Sequence, residues 1–312
     1  MADFDLLVLG DANPDLVLSG GEVEPAFGQA ERLVDHANLT IGGSGGILAC
    51  GAARLGLRVA FAGVVGADLF GTFMREQLAA RGVDVRGIAV DPSRPTGVTV
   101  VLSKPDDRAI LTSLGTIGDL RAELIDPEML RASRHVHVSS YFLQRRLAAD
   151  LPELFDQVHE AGATTSVDPN WDPTDGWDGG LVELLPQVDV FLPNEMEALR
   201  LAHISDMNEA VSRLRARAPF VVIKRGERGA LGARAGEVVE VPAIPTTVVD
   251  TTGAGDSFDA GFLSAFLENE PLEEALRFAA ACGALSTLAP GGTEGQPTVD
   301  EVRAALSRGS AA

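Results

Sequence analysis

The 312-residue chain has few cations, and its positive and negative side chains are far out of balance. The 25 lysines and arginines face 45 aspartates and glutamates, which gives a net charge of −20. This balance excludes the basic surface of a nucleic-acid-binding protein. An anionic ligand would have to be held by a local device, such as a helix N-terminus, a magnesium ion or one or two placed cations.

Cysteines and long apolar runs are also scarce. Cys50 and Cys282 lie in Ala/Gly/Leu-rich stretches, where a cysteine behaves as a small buried hydrophobe, so neither a disulfide framework nor a metal cluster is indicated. No run approaches the roughly 20 apolar residues that span a membrane. The first residues, MADFD, are acidic where a signal peptide is basic. We therefore expect a cytoplasmic protein without a membrane partner.

Short apolar runs that each end in a polar or Gly-rich cluster indicate the fold. DLLVLG precedes DANPD, HVHV precedes SSYF, TTSV precedes DPN, and FVVIK precedes RGERG. Helix-period segments such as 69–81 and 146–161 lie between them. The alternation predicts one α/β domain over residues 1–312, with a doubly wound, mainly parallel sheet covered by helices on both faces. Ligands bind such sheets at the carboxyl ends of the strands, where the polar clusters fall.

Two segments interrupt the alternation of strands and helices. Residues 14–40 and 88–114 read as short alternating strands joined by turns, with no helix between them. They predict a small antiparallel sheet that projects from the main domain. Such a sheet could act as a lid over the crevice or as a subunit contact, and we expect a homodimer formed through it.

The stretch IGGSGG, residues 41–46, satisfies the G-x-S-x-G pattern of serine hydrolases around Ser44. A hydrolase also needs a suitably placed histidine. The last histidine, His203, lies in a helix-like stretch, and His135 and His137 alternate along a probable strand, as structural residues do. We therefore do not favour a hydrolase.

The stretch VVDTTGAGDSFDAGF, which begins at residue 248, carries the strongest chemical signal. Its small residues Gly253, Ala254 and Gly255 let backbone N–H groups converge at a helix N-terminus, and Asp256 stands beside them. Phosphoryl transfer needs such donors together with a carboxylate that orients the nucleophile. The tetrapeptide GAGD alone fits a helix cap and a tight turn equally well. No Walker A lysine is present, which excludes a P-loop kinase.

These motifs together resemble the ribokinase-like carbohydrate kinases of the PfkB family, from about residue 4 to residue 305. DTTGAGDSFDAGF matches the C-terminal motif of that family, and GGSGGILACGAARLG matches the N-terminal one. The resemblance implies ATP-dependent phosphorylation of a sugar hydroxyl, usually a primary one. It assigns Asp256 as the general base, and it assigns the anion hole to Gly253, Ala254 and Gly255. The residues expected on the sugar side are Asn13, Asp15, Gly42, Gly43, Ser44, Ile47 and Asn170.

The resemblance also implies nucleotide and metal positions. Asn194 and Glu197 would lie near a magnesium ion, through water, although acidic residues at a helix start have a purely structural explanation as well. Asp250 and Thr252 would hold a monovalent cation in many relatives, so potassium is a possible activator. The residues expected on the nucleotide side are Asn194, Lys224, Gly226, Thr252 and Gly283.

Departures from the family pattern bear on the acceptor. Ile47 stands where relatives usually have an asparagine that touches the sugar, and Asp172 stands where relatives that phosphorylate acidic keto-sugars often have an arginine. We therefore expect a neutral monosaccharide. A nucleoside kinase is the nearest alternative, with Tyr141, Phe142 and Trp171 as a possible wall for a base. A non-catalytic sugar or nucleotide-binding regulator is the alternative from another class.

Overall fold

The computed structural model describes residues 2–104 and 107–309, which form two sheets and the helices that pack on the larger one. The strands are β1 Leu6–Leu9, β2 Pro14–Ser19, β3 His36–Ile41, β4 Val59–Gly66, β5 Asp84–Asp91, β6 Val98–Ser103, β7 Arg108–Ser113, β8 His135–Val138, β9 Thr164–Val167, β10 Val190–Phe191, β11 Phe220–Lys224, β12 Ala230–Arg234 and β13 Glu237–Val241. The helices are α1 Ser44–Arg54, α2 Leu69–Ala80, α3 Pro127–Arg131, α4 Leu151–Glu160, α5 Leu181–Leu184, α6 Glu195–Leu201, α7 Met207–Arg215, α8 Ala254–Leu267, α9 Leu272–Ser286 and α10 Val299–Gly309.

The larger sheet has the strand order β13-β12-β11-β10-β9-β8-β1-β4-β5. Seven neighbouring strands, β11-β10-β9-β8-β1-β4-β5, pair in parallel. The β11–β12 and β12–β13 pairs at one edge are antiparallel. The prediction of a doubly wound, mainly parallel α/β sheet is therefore confirmed.

Hydrophobic cores lie on both faces of this sheet, because successive side chains of a strand point to opposite sides. In β1, Leu6 and Val8 pack into the core that also contains residues of α1, α8 and α9. Leu7 and Leu9 pack into the opposite core, with α4 and α7. All four side chains are fully buried, and each contributes about 1.5–3 kcal/mol of transfer free energy. This two-sided burial explains why the parallel strands read as short, uninterrupted apolar runs.

The polar clusters predicted to line a crevice follow the carboxyl ends of neighbouring strands. Asp11 comes just after β1, Ser140 after β8 and Asp168 after β9, while Lys224 ends β11. Strand β1 lies between β4 and β8, so the chain builds the sheet outward in both directions from it. A crevice opens at such a point of reversal, and ligands bind there in open α/β sheets.

The smaller sheet, the lid, has the strand order β3-β2-β6-β7. Its β2–β3 and β6–β7 pairings are antiparallel, and β2 and β6 pair in parallel. The segment 14–40 supplies β2 and β3, and the segment 88–114 supplies β6 and β7, with residues 105–106 outside the described part. Residues 88–91, which the alternation assigned to the lid, end β5 instead and pair with β4. An edge strand buried on one face shows the same alternation as a lid strand, which explains the difference.

The two faces of the lid differ in character. The register places Asp15, Thr99 and Thr112 side by side on one face, which turns toward the crevice. The other face is apolar throughout its centre. This outer lid face consists of Leu16, Leu18, Leu39, Val100, Leu102 and Leu111.

Both cysteines are buried in helices and unpaired, Cys50 in α1 and Cys282 in α9, as expected of small hydrophobes. Within the described residues, we find no helix with the length and apolar character needed to cross a lipid bilayer.

Candidate active site

Two helices begin at the same point of the crevice. α1 follows Gly43 and α8 follows Gly253, and both glycines adopt a φ of 72°. This left-handed conformation favours glycine over residues with a Cβ. Ser44, the first residue of α1, donates its hydroxyl hydrogen bond to Oδ1 of Asp256, the third residue of α8. The glycine-rich motif and the GAGD motif, more than 200 positions apart in sequence, therefore meet side chain to side chain.

The N-terminus of α8 presents backbone donors to the crevice. The first intrahelical bond runs from Ser257 N–H to the Gly253 carbonyl at 2.9 Å, and Ala254 N–H donates to the Thr251 carbonyl at 3.3 Å. Gly255 and Asp256 are the second and third residues of α8, and the first N–H groups of an α-helix have no acceptor within the helix. These two donors and the helix dipole make a place for negative charge beside the Asp256 carboxylate.

The Asp256 carboxyl titrates in an unusual range. Burial by the walls of the crevice raises its pKa to about 7, the Ser44 hydroxyl opposes this rise, and the negative charge of Asp168 adds to it. A carboxylate with a pKa near neutrality is a better proton acceptor than an ordinary aspartate, because the best general base has a pKa close to the working pH.

Asp11 fixes the start of α1. Its Oδ2 accepts the N–H of Ser44 and its Oδ1 accepts the N–H of Gly45, each at 3.1 Å. Burial raises the pKa of Asp11, although these two hydrogen bonds work against the shift. Asp11 was not among the predicted site residues. Its position as the first polar side chain after β1, within GDANPD, was the available signal.

The polar side chains predicted for the sugar side lie beside α1. Asn13 donates to Oδ1 of Asp15 at 3.4 Å and to Oγ1 of Thr99 at 3.2 Å. A Cβ on Gly42 would lie 2.0 Å from Asp15 Oδ1, so only glycine fits there. Burial, followed by the nearby charge of Asp11, raises the pKa of Asp15 to about 7. The structure thus brings five of the predicted residues together, namely Asn13, Asp15, Gly42, Gly43 and Ser44.

Ile47 lies beneath the turn that begins α8. Its side chain is buried, and a Cβ on Gly253 or Gly292 would come within 2.9 Å or 2.5 Å of it. Its carbonyl accepts a hydrogen bond from Gln296 at 2.8 Å. The side chain predicted to face a sugar therefore packs against the glycine turn, where a polar residue would need its own partner.

A cleft of about 780 Å³ extends from Asp256 between the lid, α6 and α9. Asp250 and Thr252 precede α8 and contact Arg108 of the lid, which also borders the cleft. Ten of the predicted site residues line it, namely Asn170, Asn194, Glu197, Lys224, Gly226, Gly253, Ala254, Gly255, Asp256 and Gly283.

Lys224 forms a buried triad with two carboxylates under the α8 N-terminus. Its Nζ donates to Asp168 at 2.9 Å and to Asp259 at 2.7 Å. Burial disfavours the lysine charge, but the two carboxylates overcome it and raise the pKa of Lys224. Burial raises the pKa of Asp259 well above its ordinary value, whereas the lysine charge keeps the pKa of Asp168 low against the same effect. Sequence reasoning missed both carboxylates, although Asp259 lies three positions after Asp256 on the same helix face.

Asn194 and Glu197 form a capping box at the start of α6. The Asn194 side chain accepts the Glu197 N–H at 2.9 Å, and Glu197 Oε2 accepts the Asn194 N–H at 2.8 Å. Burial, with the charge of Asp168, raises the pKa of Glu197 to about 7. The described residues contain no group of three or more His, Cys, Asp or Glu arranged to hold a metal ion. Glu197 Oε1 also accepts from Asn194 Nδ2 at 2.6 Å, so both carboxylate oxygens are engaged within the pair and would reach a magnesium ion through water and a ligand's phosphates instead of directly.

The residues that a serine hydrolase would use do not form a catalytic group. His135 and His137 are buried in β8 and pair with the hydroxyls of Thr164 and Ser166, at 2.6 Å and 2.7 Å respectively. Burial lowers the pKa of each histidine to about 3. Ser44 pairs with a carboxylate instead of a histidine, so its environment is not that of a serine hydrolase.

A family model described as "pfkB family carbohydrate kinase" matches residues 3–299. Among curated proteins, the fructokinase of Klebsiella pneumoniae is 32% identical and is aligned over 96% of this chain and 98% of its own length. The ATP-dependent ribose-1-phosphate kinase of Halopiger xanaduensis is 33% identical over 97% of this chain and 98% of its own. Among solved structures, a putative ribokinase II from E. coli in complex with ATP and Mg²⁺ superimposes with a TM-score of 0.86, at 27% identity, over 98% of this chain and 99% of its own.

Neutralising Lys224 should destabilise the fold. Lys224→Met leaves Asp168 and Asp259 facing each other without a counter-charge, and breaking a buried ion pair in this way costs about 3–5 kcal/mol. The free energy of unfolding in urea measures the effect. The variant that also carries Asp168→Asn and Asp259→Asn should recover part of the loss, because it buries no net charge. A loss below about 1 kcal/mol in the single variant would contradict the triad.

Proposed function

The chain belongs to the pfkB family of carbohydrate kinases, and on that premise we propose that it transfers the γ-phosphoryl group of ATP to a primary hydroxyl of a neutral monosaccharide. That it is a sugar kinase, a phosphotransferase acting on a sugar hydroxyl, follows from the family. The observation that carries the finer proposal is the place of Asp256. It lies between the polar group around Asn13 and Asp15 on one side and the 780 Å³ cleft on the other.

Asp256 acts as the general base in this proposal. Its carboxylate accepts the proton of the attacking hydroxyl. The Ser44 hydroxyl donates to Oδ1 of this carboxylate and so orients Oδ2 toward the substrate in this proposal. The loose transition state of phosphoryl transfer makes little demand on the basicity of the nucleophile, so the proton can leave late. Asn13 and Asp15 offer a donor and acceptors to neighbouring sugar hydroxyls, which holds the reacting hydroxyl next to Asp256.

The N–H groups of Gly255 and Asp256 receive the negative charge of the moving phosphoryl group. They belong to a helix N-terminus, so their orientation is set before the substrate arrives. Lys224 lies beneath Gly255 and adds a fixed positive charge, and Asn194 and Glu197 stand where they can hold magnesium through water. Bound with the nucleotide, Mg²⁺ would neutralise charge on the phosphates.

The nucleotide base lies along the far wall of the cleft in this proposal. That wall joins the 243–248 loop, which contributes Ile244 and Val248, to the side of α9 that carries Ala280 and Gly283. A Cβ on Gly283 would come within 3.0 Å of the Ala254 carbonyl, so glycine keeps α9 close to the start of α8. An apolar wall with few polar groups suits a planar heterocycle.

The charges around Asp256 favour a neutral acceptor. Besides burial, the charge of Asp11 raises the pKa of both Asp15 and Asp256, so negative charge already accumulates beside Asp256 and would repel a second anionic group. Asp172, whose place in the sequence also predicted a neutral acceptor, contributes nothing to this preference. Its carboxylate accepts hydrogen bonds from Thr174 and Trp177 within its own loop.

Two of the three aromatic residues predicted as a wall for a base, Tyr141 and Phe142, favour a sugar over a nucleoside. Tyr141 and Phe142 are buried in the core, where the Tyr141 hydroxyl donates to the Gly179 carbonyl at 2.7 Å. Trp171 packs edge-on against Trp177, with ring centroids 5.0 Å apart. The rings of Tyr141 and Phe142 are thus engaged in packing instead of presenting a free wall on which a base could stack, while the Trp171 side chain stays 50% exposed.

Phosphorylation of a panel of acceptors tests the proposed function. We expect ATP-dependent ADP release, in the presence of Mg²⁺, with at least one neutral pentose or hexose, and less with nucleosides, ribose 1-phosphate or keto-acid sugars. Asp256→Asn should lower kcat by about 10³-fold, the range of general-base catalysis, whereas Asp156→Asn on the exposed side of α4 should not. Turnover of Asp256→Asn at the wild-type rate would exclude the base role. If none of the acceptors is phosphorylated, the protein is better explained as a non-catalytic regulator.

Ser44→Ala should shift the pH dependence of the reaction. The Ser44 hydroxyl stabilises the charged form of Asp256, so its removal raises the pKa of Asp256 above about 7. Asp256 works deprotonated, and activity is lost as the pH falls through its pKa. We expect the acidic limb of kcat/KM to move about one pH unit upward, the size of a hydrogen bond to a charged group.

The control for that measurement is Ser133→Ala. Ser133 is also a buried serine, and its hydroxyl donates to the Met129 carbonyl at 2.6 Å, away from the crevice. An acidic limb that stays in place in Ser44→Ala would contradict the assigned contact.

We also propose that two copies of the chain associate through the outer lid face. Its six side chains form an apolar surface on a four-stranded sheet, none of them is buried, and such surfaces mark contact sites. Pairing the two faces would bury Leu39 and Leu111, which are exposed in one copy.

Leu111→Glu should convert the protein to a monomer, because it places a charge within that contact. Sedimentation velocity measures the mass. Val238→Glu is the matched control, since Val238 is 51% exposed on β13 while Leu111 is 60% exposed on the lid. A wild-type monomer, or a dimer that survives Leu111→Glu, would be the contrary result.

A further inference from the structure

Arg108 joins the lid to the segment that precedes α8. It is the first residue of β7, and its Nη1 donates to Thr252 Oγ1 at 2.9 Å. The same atom lies 3.9 Å from Asp250 Oδ1. Arg108 belongs to the lid and Thr252 to the main domain, so the contact requires the lid to lie against the start of α8.

Thr252 and Asp250 form a closed turn under this guanidinium. Asp250 Oδ1 accepts both the N–H of Thr252 at 2.8 Å and its hydroxyl at 2.7 Å. Asp250 Oδ2 accepts the N–H of Gly291 at 2.9 Å. The Thr252 hydroxyl therefore donates to Asp250 and accepts from Arg108, which makes a continuous chain of polar contacts from the lid to the turn.

This arrangement does not fit a resident potassium ion, which the resemblance made possible at Asp250 and Thr252. A monovalent cation would need several oxygen ligands at this turn and a negative charge that no other cation already balances. The Thr252 hydroxyl is already shared, both carboxylate oxygens of Asp250 accept hydrogen bonds, and a guanidinium stands beside the carboxylate. A second cation there would be repelled by Arg108.

Arg108 also stands near the acidic side of the crevice. Its charge partly offsets the burial that raises the pKa of Asp15, and it favours the charged form of Asp250. Arginine suits such a place, because its guanidinium stays charged and carries several donors in a fixed plane. One side chain of the lid thus faces carboxylates from both sides of the opening.

We propose that Arg108 supplies the positive charge at the Asp250–Thr252 turn in place of a monovalent cation, and so couples closure of the lid to the order of the turn that begins α8. Arg108 is a positioning residue in this role, acting through Thr252 on the start of α8. Only the activity part of its test rests on the proposed function.

Thermal unfolding without substrate tests the proposal first. The wild type, Arg108→Gln and Arg108→Lys are compared in choline chloride and in KCl of equal ionic strength, with Lys104→Gln as control. Lys104 is another lid cation, and it pairs with Glu24 at the surface. Wild type, Arg108→Lys and the control should show the same Tm in both salts. Arg108→Gln should melt lower in choline and gain about 2 °C or more in KCl, as potassium binds the vacated turn.

Activity in the two salts gives the second readout. The wild-type kcat/KM should agree within about twofold between the salts, whereas Arg108→Gln should lose about tenfold in choline and recover in KCl. A wild type stabilised and activated by potassium as strongly as Arg108→Gln would overturn the proposal, and so would an Arg108→Gln variant that potassium leaves unchanged. If no acceptor is phosphorylated, the proposed function fails while the thermal comparison still decides the role of Arg108.

Discussion

The convergence of two helix N-termini at the carboxyl edge of one sheet is the constraint on which the rest of the structure depends. α1 and α8 both start from a left-handed glycine, and Ser44 of the first bonds Asp256 of the second. Two positive helix ends at one point favour negative charge there. That preference offsets part of the cost of burying Asp11 beside Asp256, and it makes the same point suitable for a phosphoryl group in transit.

Much of this architecture could be predicted from local sequence. Parallel strands buried on both faces read as uninterrupted apolar runs, and the polar cluster after each run marks the carboxyl edge. The GAGD stretch indicated a helix start for a different local reason: small residues are needed where the backbone turns sharply. Local pattern failed at residues 88–91, since alternation measures one-sided burial and cannot distinguish an edge strand of the large sheet from a strand of the lid.

The parts that could not be predicted depend on contacts between distant segments. Asp259 joins Lys224 across 35 positions and Arg108 joins Thr252 across 144, and neither pairing leaves a periodic signal. Ile47 shows the same limit in another form. Its difference from relatives suggested a change in sugar contact, whereas its side chain packs under the Gly253 turn. A substitution near a site can thus act through the shape of the backbone that the ligand meets.

The ionisation of Asp256 tests the central claim most directly. Burial and the neighbouring acids Asp168 and Asp11 raise its pKa, although the two helix ends and the Ser44 hydroxyl favour its charged form. Protein labelled with ¹³C at the aspartate carboxyl carbons can be titrated by NMR, and the Asp256→Asn variant assigns the resonance. The account predicts a midpoint pKa of about 7 for Asp256. A midpoint near 4, the ordinary value for aspartate, would contradict it.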